Sequence, residues 1–481
     1  MINLKIIFFI LGVLILVLSI SMTLPLILDY FLYNSLSVFF PSFLISTFIG
    51  LSLILAFRNN DKKISVNDTI IVTVLSLPVL CFFGSLPFFL DKNISMFSEA
   101  FFEATSGLTT TGASIYKNVE ALSKGLLVWR SLLQWLGGIG IIIFAIAILP
   151  ILNIGGMQLF TQDWKEKDSD LHHRSKELAK LVGGVYFLFT VIIFFLLWML
   201  GMPFFEAFCH SLTTVATGGF STNNNSIAYY NNTLIELTMV AGMIIASLPF
   251  TLYLSSLHKG LKAFKDSQVI IFLLLIFLFT LALTLWNYFA NNINFFTSLR
   301  LALFNGVSVM TGTGYTTDNF SSWGSFSTSL FLIMMLIGGC TGSTTGGIKI
   351  FRIQILFFII MKELKKINSP RAIFSSNYKN QLINDDIINS VMIIIIFFLV
   401  GIFFISLIFF LHGYDFITSI SAAITSISVV GPGLGNIIGP EENFSSLTSN
   451  LKITLSIAMI MGRLEFIAFF VLLLPSFWNQ K

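Results

Sequence analysis

A short glycine-containing segment recurs four times in the chain, each time after an apolar stretch of about a dozen residues. The segments are residues 109–114, 216–221, 311–316 and 430–435, here named Gly segments 1 to 4. Their fourth positions are Gly112, Gly219, Gly314 and Gly433. Glycine permits backbone conformations that ordinary residues resist, at no steric cost. Carbonyl groups held around an axis by such loops replace the water shell of K⁺, so the pattern predicts a cation conduit with four quasi-equivalent walls.

The candidate ion-binding groups are backbone positions of the four Gly segments. Phe220 and Tyr315 follow the fourth-position glycines of segments 2 and 3, as an aromatic residue follows glycine in the filter signature of potassium channels. A single glycine-rich turn is usually a tight turn or a helix contact, whereas four copies in register favour a shared function. The predicted filter residues are Thr110, Thr111, Gly112, Thr217, Gly218, Gly219, Gly312, Thr313, Gly314, Gly431, Pro432 and Gly433.

A fifth glycine-rich stretch, residues 338–347, interrupts an apolar run. One interpretation is a flexible kink that neighbouring helices absorb. The favoured interpretation is a buried loop that lies under the filter and gates the conduit, because lipid-facing loops are excluded from the hydrocarbon core. The stretch is not a phosphate-binding loop, since Lys349 is not next to Ser or Thr. The predicted gate residues are Gly338, Gly339, Cys340, Thr341, Gly342, Ser343, Thr344, Thr345, Gly346 and Gly347.

Arg463 lies inside the last apolar run of the chain. A charge at that depth costs about 2.5–3.5 kcal/mol on insertion scales, so the side chain should face protein or water and have a partner. Glu465 points elsewhere on a helix, so we expect the partner elsewhere. Arg463 is therefore predicted to act as an electrostatic barrier in the conduit or as an anchor of the gate; a structural ion pair is the alternative.

Five carboxylates lie near the predicted outer ends of the half-crossings: Glu99, Glu103, Glu206, Asp318 and Asp415. They either concentrate cations at the mouth of the conduit or serve as solvated and capping groups. The sequence shows no Ser-His-Asp arrangement and no pair of intramembrane acids. We therefore predict no catalytic residues, no cofactor, and no metal ion other than K⁺ at the filter.

The composition is that of a membrane protein. Of 481 residues, 56% are hydrophobic and 10% are charged, and the mean hydropathy is +0.89. Apolar runs long enough to cross a bilayer lie near 5–28, 37–57, 69–90, 125–150, 181–202, 233–256, 268–290, 326–361, 385–411 and 452–474. The stretches before the Gly segments, near 97–108, 204–215, 296–309 and 416–428, are too short and are predicted to be re-entrant half-helices.

These runs predict an all-α polytopic fold with four pseudo-symmetric repeats of helix, pore loop and helix around one pore. The N-terminal hairpin covers residues 1–66, and the repeats cover 67–152, 173–258, 266–362 and 383–478. The third repeat also contains the gating loop. Four loops rich in Lys and Arg alternate with loops poor in them, which places both termini on the cytoplasmic side.

Several stretches resemble the Trk/Ktr/HKT superfamily of potassium transporters, and within it the bacterial TrkH-like membrane subunits: residues 129–140, 155–160, 338–349, 430–435 and 461–463. The resemblance implies that the four fourth-position glycines line the filter, that residues 338–347 form the gate and that Arg463 lies below the filter. Glycine in the first copy resembles the potassium-preferring pattern. The resemblance also implies a homodimer with two separate pores and a cytoplasmic ring of nucleotide-binding regulatory subunits.

The predicted function is uptake of K⁺ across the cytoplasmic membrane of a bacterium, driven by the membrane potential. A proton- or sodium-coupled potassium symporter is the alternative. A membrane-embedded enzyme is disfavoured, because the apolar runs contain no clustered carboxylates or metal triad. The chain contains no nucleotide-binding domain, so regulation is expected from a separate polypeptide. Membrane lipid is a further expected partner, and nucleic acid is not.

Overall fold

The computed structural model describes residues 2–36, 38–58, 65–145, 171–369, 377–378 and 381–478. Its helices, numbered here in chain order, are α1 Leu4–Ser21, α2 Thr23–Tyr33, α3 Phe39–Phe57, α4 Val66–Phe89, α5 Phe97–Leu108, α6 Lys124–Ile143, α7 Leu171–Met199, α8 Phe204–Val215, α9 Thr233–Ser247, α10 Phe250–Lys259, α11 Ser267–Ala290, α12 Phe295–Met310, α13 Ser325–Leu336, α14 Ile350–Asn368, α15 Asp385–Leu411, α16 Phe416–Ser428, α17 Ser449–Arg463, α18 Ile467–Leu473 and α19 Pro475–Trp478. Two strands, Asn377–Tyr378 and Gln381–Leu382, pair antiparallel in a two-stranded sheet. The described part of the chain is otherwise helical or irregular, which confirms the predicted all-α class.

Seven stretches of the described residues are helical, long enough and apolar enough to cross a membrane. They are Leu4–Tyr33, Phe39–Phe57, Val66–Phe89, Lys124–Ile143, Glu177–Met199, Ser267–Ala290 and Asp385–Leu411. Each coincides with a run predicted from the sequence, because a continuous apolar helix of about 20 residues matches the hydrocarbon thickness. The protein is therefore a multi-pass membrane protein.

Three predicted crossings are interrupted helices. The break at the glycine-rich stretch 338–347, between α13 and α14, follows the prediction. The other two were not predicted. Helices α9 and α10 meet at an angle of 87° around Leu248 and Pro249, where a proline that cannot continue the helix forces the preceding residue into an extended conformation. Helices α17 and α18 are separated at Glu465 and Phe466, whose φ angles are +60° and +53°.

Four short helices coincide with the predicted half-crossings: α5, α8, α12 and α16. Each ends immediately before a Gly segment or, for α16, one residue before it. Their last turns are buried, whereas the longer helices keep many apolar side chains on their outer surface. The half-helices therefore lie inside a shell of longer helices, and their carboxyl ends deliver the Gly segments to the interior.

The N-terminal helices pack against this arrangement. Gly12 of α1 and Gly50 of α3 allow the two backbones to touch, since a Cβ at Gly12 would lie 3.0 Å from the Gly50 carbonyl oxygen. Asp29 of α2 accepts hydrogen bonds from the Ser123 hydroxyl, at 3.0 Å, and the Gly125 N–H, at 2.8 Å, at the start of α6. The hairpin is thus fixed to the body of the protein by both small-residue packing and a buried carboxylate.

Some sequence predictions fall on residues outside the described ranges. These include the end of the fourth apolar run and of the repeat 67–152, the stretch 155–160, and parts of the basic loops at 59–64, 146–170, 370–376 and 379–380. The C-terminal residues 479–481 also lie outside.

Candidate functional site: a closed ring of four Gly segments

The four Gly segments, which are far apart in the sequence, meet in the interior. At each junction a glycine of one segment lies directly against a carbonyl oxygen of its neighbour, so that an added Cβ would collide with that oxygen. The four glycine and carbonyl pairs are Gly112 with Gly218, Gly219 with Thr313, Gly314 with Val430, and Gly431 with Thr111. Segment 1 therefore contacts segment 2, segment 2 contacts segment 3, segment 3 contacts segment 4, and segment 4 returns to segment 1. The ring is closed.

All four half-helices end with the same hydrogen-bonded turn. The N–H of the residue before each ring glycine donates to the carbonyl oxygen five residues earlier, at 2.8–3.0 Å. The donor and acceptor pairs are Thr111 with Ser106, Gly218 with Thr213, Thr313 with Ser308, and Val430 with Thr425. This is the Schellman motif, in which one residue adopts a left-handed conformation and satisfies the free carbonyls at a helix end. The helix ends thus fix the direction in which each segment leaves.

The left-handed residue of each turn is Thr110, Thr217, Gly312 or Val429, with φ of +58°, +49°, +69° and +60°. Three of the four are β-branched, although this position normally holds glycine. A residue forced into this region costs on the order of 1–3 kcal/mol, and such strain concentrates at functional sites. The repeated strain indicates that the geometry of the ring, rather than local stability, dictates these positions.

The structure corrects the register of segment 4. The sequence spacing equated Gly433 with Gly112, Gly219 and Gly314, whose φ angles are +85°, +78° and +84°. In segment 4 the corresponding conformation, the helix-end turn and the contact with segment 1 all belong to Gly431, with φ of +113°. Gly433 instead packs against Ile438. Glycines alternate at 431, 433 and 435, so the sequence pattern fits two registers equally well and only the neighbouring segments distinguish them.

The glycine-rich stretch 338–347 forms a buried loop against the break between α9 and α10. Its Cys340 N–H donates to the Ser247 carbonyl at 3.0 Å, and its Gly342 carbonyl accepts from the Phe250 N–H at 3.0 Å. The Thr344 hydroxyl donates to the Ala246 carbonyl at 3.1 Å. The loop thus pairs with backbone groups that the bend at Pro249 leaves unpaired. The two helix interruptions therefore satisfy each other's backbone hydrogen-bonding groups.

The loop also contacts the ring and the last helix. The Thr217 hydroxyl of segment 2 donates to the Thr344 hydroxyl at 3.0 Å. On the other side of the same residue, Arg463 donates from Nη2 to the Thr344 carbonyl at 2.9 Å. Thr344 therefore links segment 2 to α17. Nothing in the sequence distinguishes this residue from the other predicted gate residues.

Arg463 contacts the loop through the Thr344 carbonyl and has no carboxylate partner among the described residues. Its side chain is 5% exposed, and its Nε and Nη1 atoms have no hydrogen-bond partner in the described part of the protein. Both Arg463 and Lys349 line a cavity of about 40 Å³ beneath the loop, which has room for water. Glu465 lies in the same cavity wall but pairs with Arg352, at 2.6 Å. Among the described residues, the partner of Arg463 is thus a backbone carbonyl of the loop and not a carboxylate, and its functional role stays a prediction.

The five candidate mouth carboxylates all have structural partners. Glu103 is buried and pairs with Arg130 at 2.8 Å, and Glu99 pairs with Lys452 at 2.8 Å. Three others accept hydrogen bonds: Glu206 from the Tyr230 hydroxyl, Asp318 from the Trp323 indole at 2.9 Å, and Asp415 from the Thr418 N–H at 3.2 Å. Their geometry matches the capping and structural interpretation. Among the described residues, no group of three or more His, Cys, Asp or Glu side chains is arranged to hold a metal ion.

Sequence reasoning missed two buried side chains of α6 that contact the ring, Arg130 and Gln134. Arg130 donates to Glu103, to the Ser114 hydroxyl and to the Ser221 carbonyl, and so joins segment 1 to segment 2. Two polar residues four positions apart in an otherwise apolar helix were the available signal, because such residues lie on one face. They belong to the stretch 129–140, which carried only the family resemblance.

Comparison with known proteins places this architecture in a family. The family model described as TrkH, cation transport protein, matches residues 35–479. The chain belongs to the TrkH family. The chain is 40% identical over 415 residues to the Trk system potassium uptake protein TrkI of Halomonas elongata, covering 85% of this chain and 84% of that protein. It is 34% identical over 481 residues to TrkH of Salmonella typhimurium, covering 98% of both.

The fold agrees with an experimental structure. The crystal structure of the potassium transporter TrkH from Vibrio parahaemolyticus superposes with a TM-score of 0.91 at 31% identity, covering 99% of this chain and 100% of that one. The family resemblance found in the sequence is confirmed. The chain is a member of a transporter family and not an enzyme, as predicted.

Proposed function

We propose that this protein takes up K⁺ across the cytoplasmic membrane of a bacterium through a selectivity filter formed by the four Gly segments. The observation that carries the proposal is the closed ring, in which each of four segments presents a carbonyl oxygen at a glycine of the next. The names of the relatives from Halomonas elongata and Salmonella typhimurium, both potassium uptake proteins, support the choice of ion.

The physical basis is replacement of the water shell by carbonyl oxygens. The half-helices α5, α8, α12 and α16 end at the ring, and the partial negative charge at a helix carboxyl end favours a cation over an anion there. The membrane potential supplies the driving force: about 150 mV gives roughly 3.5 kcal/mol per monovalent cation. No hydrolysis of a nucleotide by this chain is needed.

Residues 338–347 act as the gate of this conduit, with Arg463 as the anchor that keeps the loop in place. The support for this role is the position of Thr344, which contacts segment 2 and Arg463 at once. Opening requires the loop to leave these contacts. Because the loop is tied to the bend between α9 and α10, the same movement displaces the bend.

The protein works as a homodimer with one pore in each subunit, regulated by a cytoplasmic nucleotide-binding subunit. Both termini lie in the cytoplasm, and lipid surrounds the outward apolar faces of the longer helices. Each pore is built from the four repeats, 67–152, 173–258, 266–362 and 383–478, with the hairpin 1–66 outside them. The alternation of basic and non-basic loops supports this orientation.

The filter assignment is tested by Gly314→Ser in full-length protein reconstituted into liposomes, with K⁺ and Na⁺ fluxes compared. Gly413→Ser is the matched control, because Gly413 has a similar positive φ, +82° against +84°, but no atom lies within 4 Å of an added Cβ. We expect Gly314→Ser to lower the preference for K⁺ over Na⁺, and Gly413→Ser to preserve it. An unchanged preference in Gly314→Ser contradicts the filter.

The gate and the driving force need separate measurements. Deletion of residues 340–346 should raise K⁺ leak through the reconstituted protein; unaltered flux removes the gating role. Flux at zero membrane potential under an imposed proton or sodium gradient should be absent. Net K⁺ uptake under that gradient would instead indicate symport.

A further inference from the structure

One carbonyl of the ring differs from the other three. The Gly218 oxygen, which faces Gly112, accepts a hydrogen bond of 2.6 Å from the side-chain amide of Gln134. Among the described residues, no side chain donates to the ring carbonyls of Thr111, Thr313 or Val430. We propose that Gln134 is a positioning residue that sets the direction of the second ring carbonyl and thereby the preference of the conduit for K⁺. This inference rests on the proposed function.

Gln134 holds segment 2 on both sides of Gly219. Its Nε2 donates to the Gly218 carbonyl, and its Oε1 accepts from the Phe220 N–H at 3.1 Å. The reverse orientation of the amide would place its oxygen against the Gly218 carbonyl oxygen and its NH₂ group against the Phe220 N–H. The two backbone groups therefore determine the orientation of the Gln134 amide. The residue is fully buried, and a Cβ added at Gly218 would collide with its amide. The two hydrogen bonds therefore resist rotation of the peptide groups on either side of Gly219.

Arg130 supports Gln134 one turn earlier on the same face of α6. Its guanidinium group lies 4.0 Å from the centre of the Phe220 ring and donates to the Ser221 carbonyl at 3.0 Å. The partner Glu103 neutralises its charge. Helix α6 lies close to the end of α5 at Gly137, which faces the Leu108 carbonyl, and close to segment 2 at Gly138, which faces Ala216. Helix α6 therefore restrains the backbone of segment 2.

Segments 3 and 4 each have a side-chain hydrogen bond with their own half-helix. The Ser308 hydroxyl of α12 donates to the Tyr315 carbonyl at 2.7 Å, and the Thr425 hydroxyl of α16 accepts from the Gly431 N–H at 3.0 Å. Neither contact involves a ring carbonyl. Segment 2 alone is fixed at the ring oxygen itself, by a different element, among the residues that the structure describes.

A fixed oxygen discriminates between ions by size. Na⁺ is smaller than K⁺ and requires the coordinating oxygens to move inward, and the amide of Gln134 restrains that movement at one corner of the ring. The same hydrogen bond withdraws some negative charge from the oxygen, which weakens its pull on the ion of higher charge density. Both effects penalise Na⁺ more than K⁺. Loss of the amide should therefore reduce selectivity rather than simply reduce flux.

The test compares Gln134→Met with the parent in full-length protein, by reversal potentials under opposed K⁺ and Na⁺ gradients in planar bilayers. Methionine has a similar length and no amide. We expect the K⁺ preference to fall about tenfold, a change of about 1.4 kcal/mol. Gln354→Met is the control, because Gln354 is also a buried glutamine but lies on α14, beyond the loop. Its selectivity should equal that of the parent.

Two further variants separate the possible outcomes. Gln134→Asn keeps an amide but is one methylene too short to reach both backbone groups, so it should lower selectivity less than methionine does, and it serves alone if Gln134→Met does not fold. If the Gln134 variants keep the K⁺ preference of the parent while Gly314→Ser loses it, the role of Gln134 is overturned and the filter assignment stands. An unchanged Gly314→Ser overturns both. Equal losses in Gln354→Met would show a general packing effect and also overturn the inference.

Discussion

Replacing Arg130 with methionine should destabilise the protein strongly, because it leaves the Glu103 carboxylate buried without its cation. The pair has an N–O distance of 2.8 Å, with side chains 3% and 0% exposed. Breaking a buried ion pair by removing one partner costs about 3–5 kcal/mol. Among the described residues, Glu103 would then retain the Ile115 N–H, at 2.9 Å, and the Ser114 hydroxyl as donors. We expect a loss of about 3 kcal/mol or more in the free energy of unfolding.

The chain offers a matched comparison in Lys452→Met. The pair of Lys452 and Glu99 has the same distance, 2.8 Å, but the Glu99 side chain is 20% exposed. Water can therefore solvate Glu99 once the ammonium group is gone, and the expected loss is about 1 kcal/mol. The two variants differ in the solvent access of the carboxylate that remains and in the further hydrogen bonds that are lost, to Ser114 and Ser221 for Arg130 and to the Ser445 carbonyl for Lys452.

The measurement is unfolding of purified protein in mixed micelles, with increasing denaturing detergent and tryptophan fluorescence as the signal. The double variant Glu103→Gln with Arg130→Met should recover more than half of the loss, because a neutral amide at position 103 can still accept from the Ile115 N–H. If Arg130→Met costs no more than Lys452→Met, or if the double variant is no more stable than Arg130→Met alone, burial of an unpaired charge is not the cause.

Three further outcomes follow from the geometry. Gly431→Ala should reduce K⁺ uptake at least about tenfold in a bacterial strain deficient in K⁺ uptake, whereas Gly433→Ala should reduce it less, because the new Cβ would first meet the movable side chain of Ile438. The reverse order of the two effects would favour the register expected from the sequence. Thr344→Val keeps the shape of the side chain but loses two hydroxyl hydrogen bonds, so K⁺ leak in the absence of a regulatory partner should rise about two- to tenfold for each bond lost. A leak rate equal to that of the parent would contradict the link through Thr344. Burial raises the pKa of Asp415, but its hydrogen bonds, including that from the α16 backbone, outweigh this and lower the pKa below its ordinary value. The carboxylate therefore stabilises the protein above the ordinary pKa of aspartate, and this stabilisation is lost as the pH falls through the pKa of Asp415 in the folded protein. The free energy of unfolding of Asp415→Ala should be about 0.5–2 kcal/mol lower than that of the parent at pH 7, and a difference of the same size in strong acid would refute this account of the helix cap.

The crossings and half-helices were predictable because their signal is local. A stretch such as 97–108 is apolar but too short to cross, and the glycine-rich end tells where it stops, without reference to any other part of the chain. The helices α5, α8, α12 and α16 therefore appear almost where the sequence places them. The same holds for the seven continuous spans.

Features that depend on a distant neighbour were not predictable. The register of segment 4 is decided by the Thr111 carbonyl, which the local sequence of alternating glycines does not contain. The pairing of Glu465 with Arg352 requires the break after α17, because on a continuous helix Glu465 would point elsewhere. In both cases the local pattern permits two answers and the tertiary contact selects one.

Closure of the ring between Thr111 and Gly431 has a consequence for biogenesis. The two residues come from the first and the last of the four segments, so the ring stays open until segment 4, which follows α16, has been synthesised. A prematurely terminated product that ends before segment 4 therefore cannot close the ring. Under the function proposed above, selectivity for K⁺ would arise only once the last of the four segments is in place.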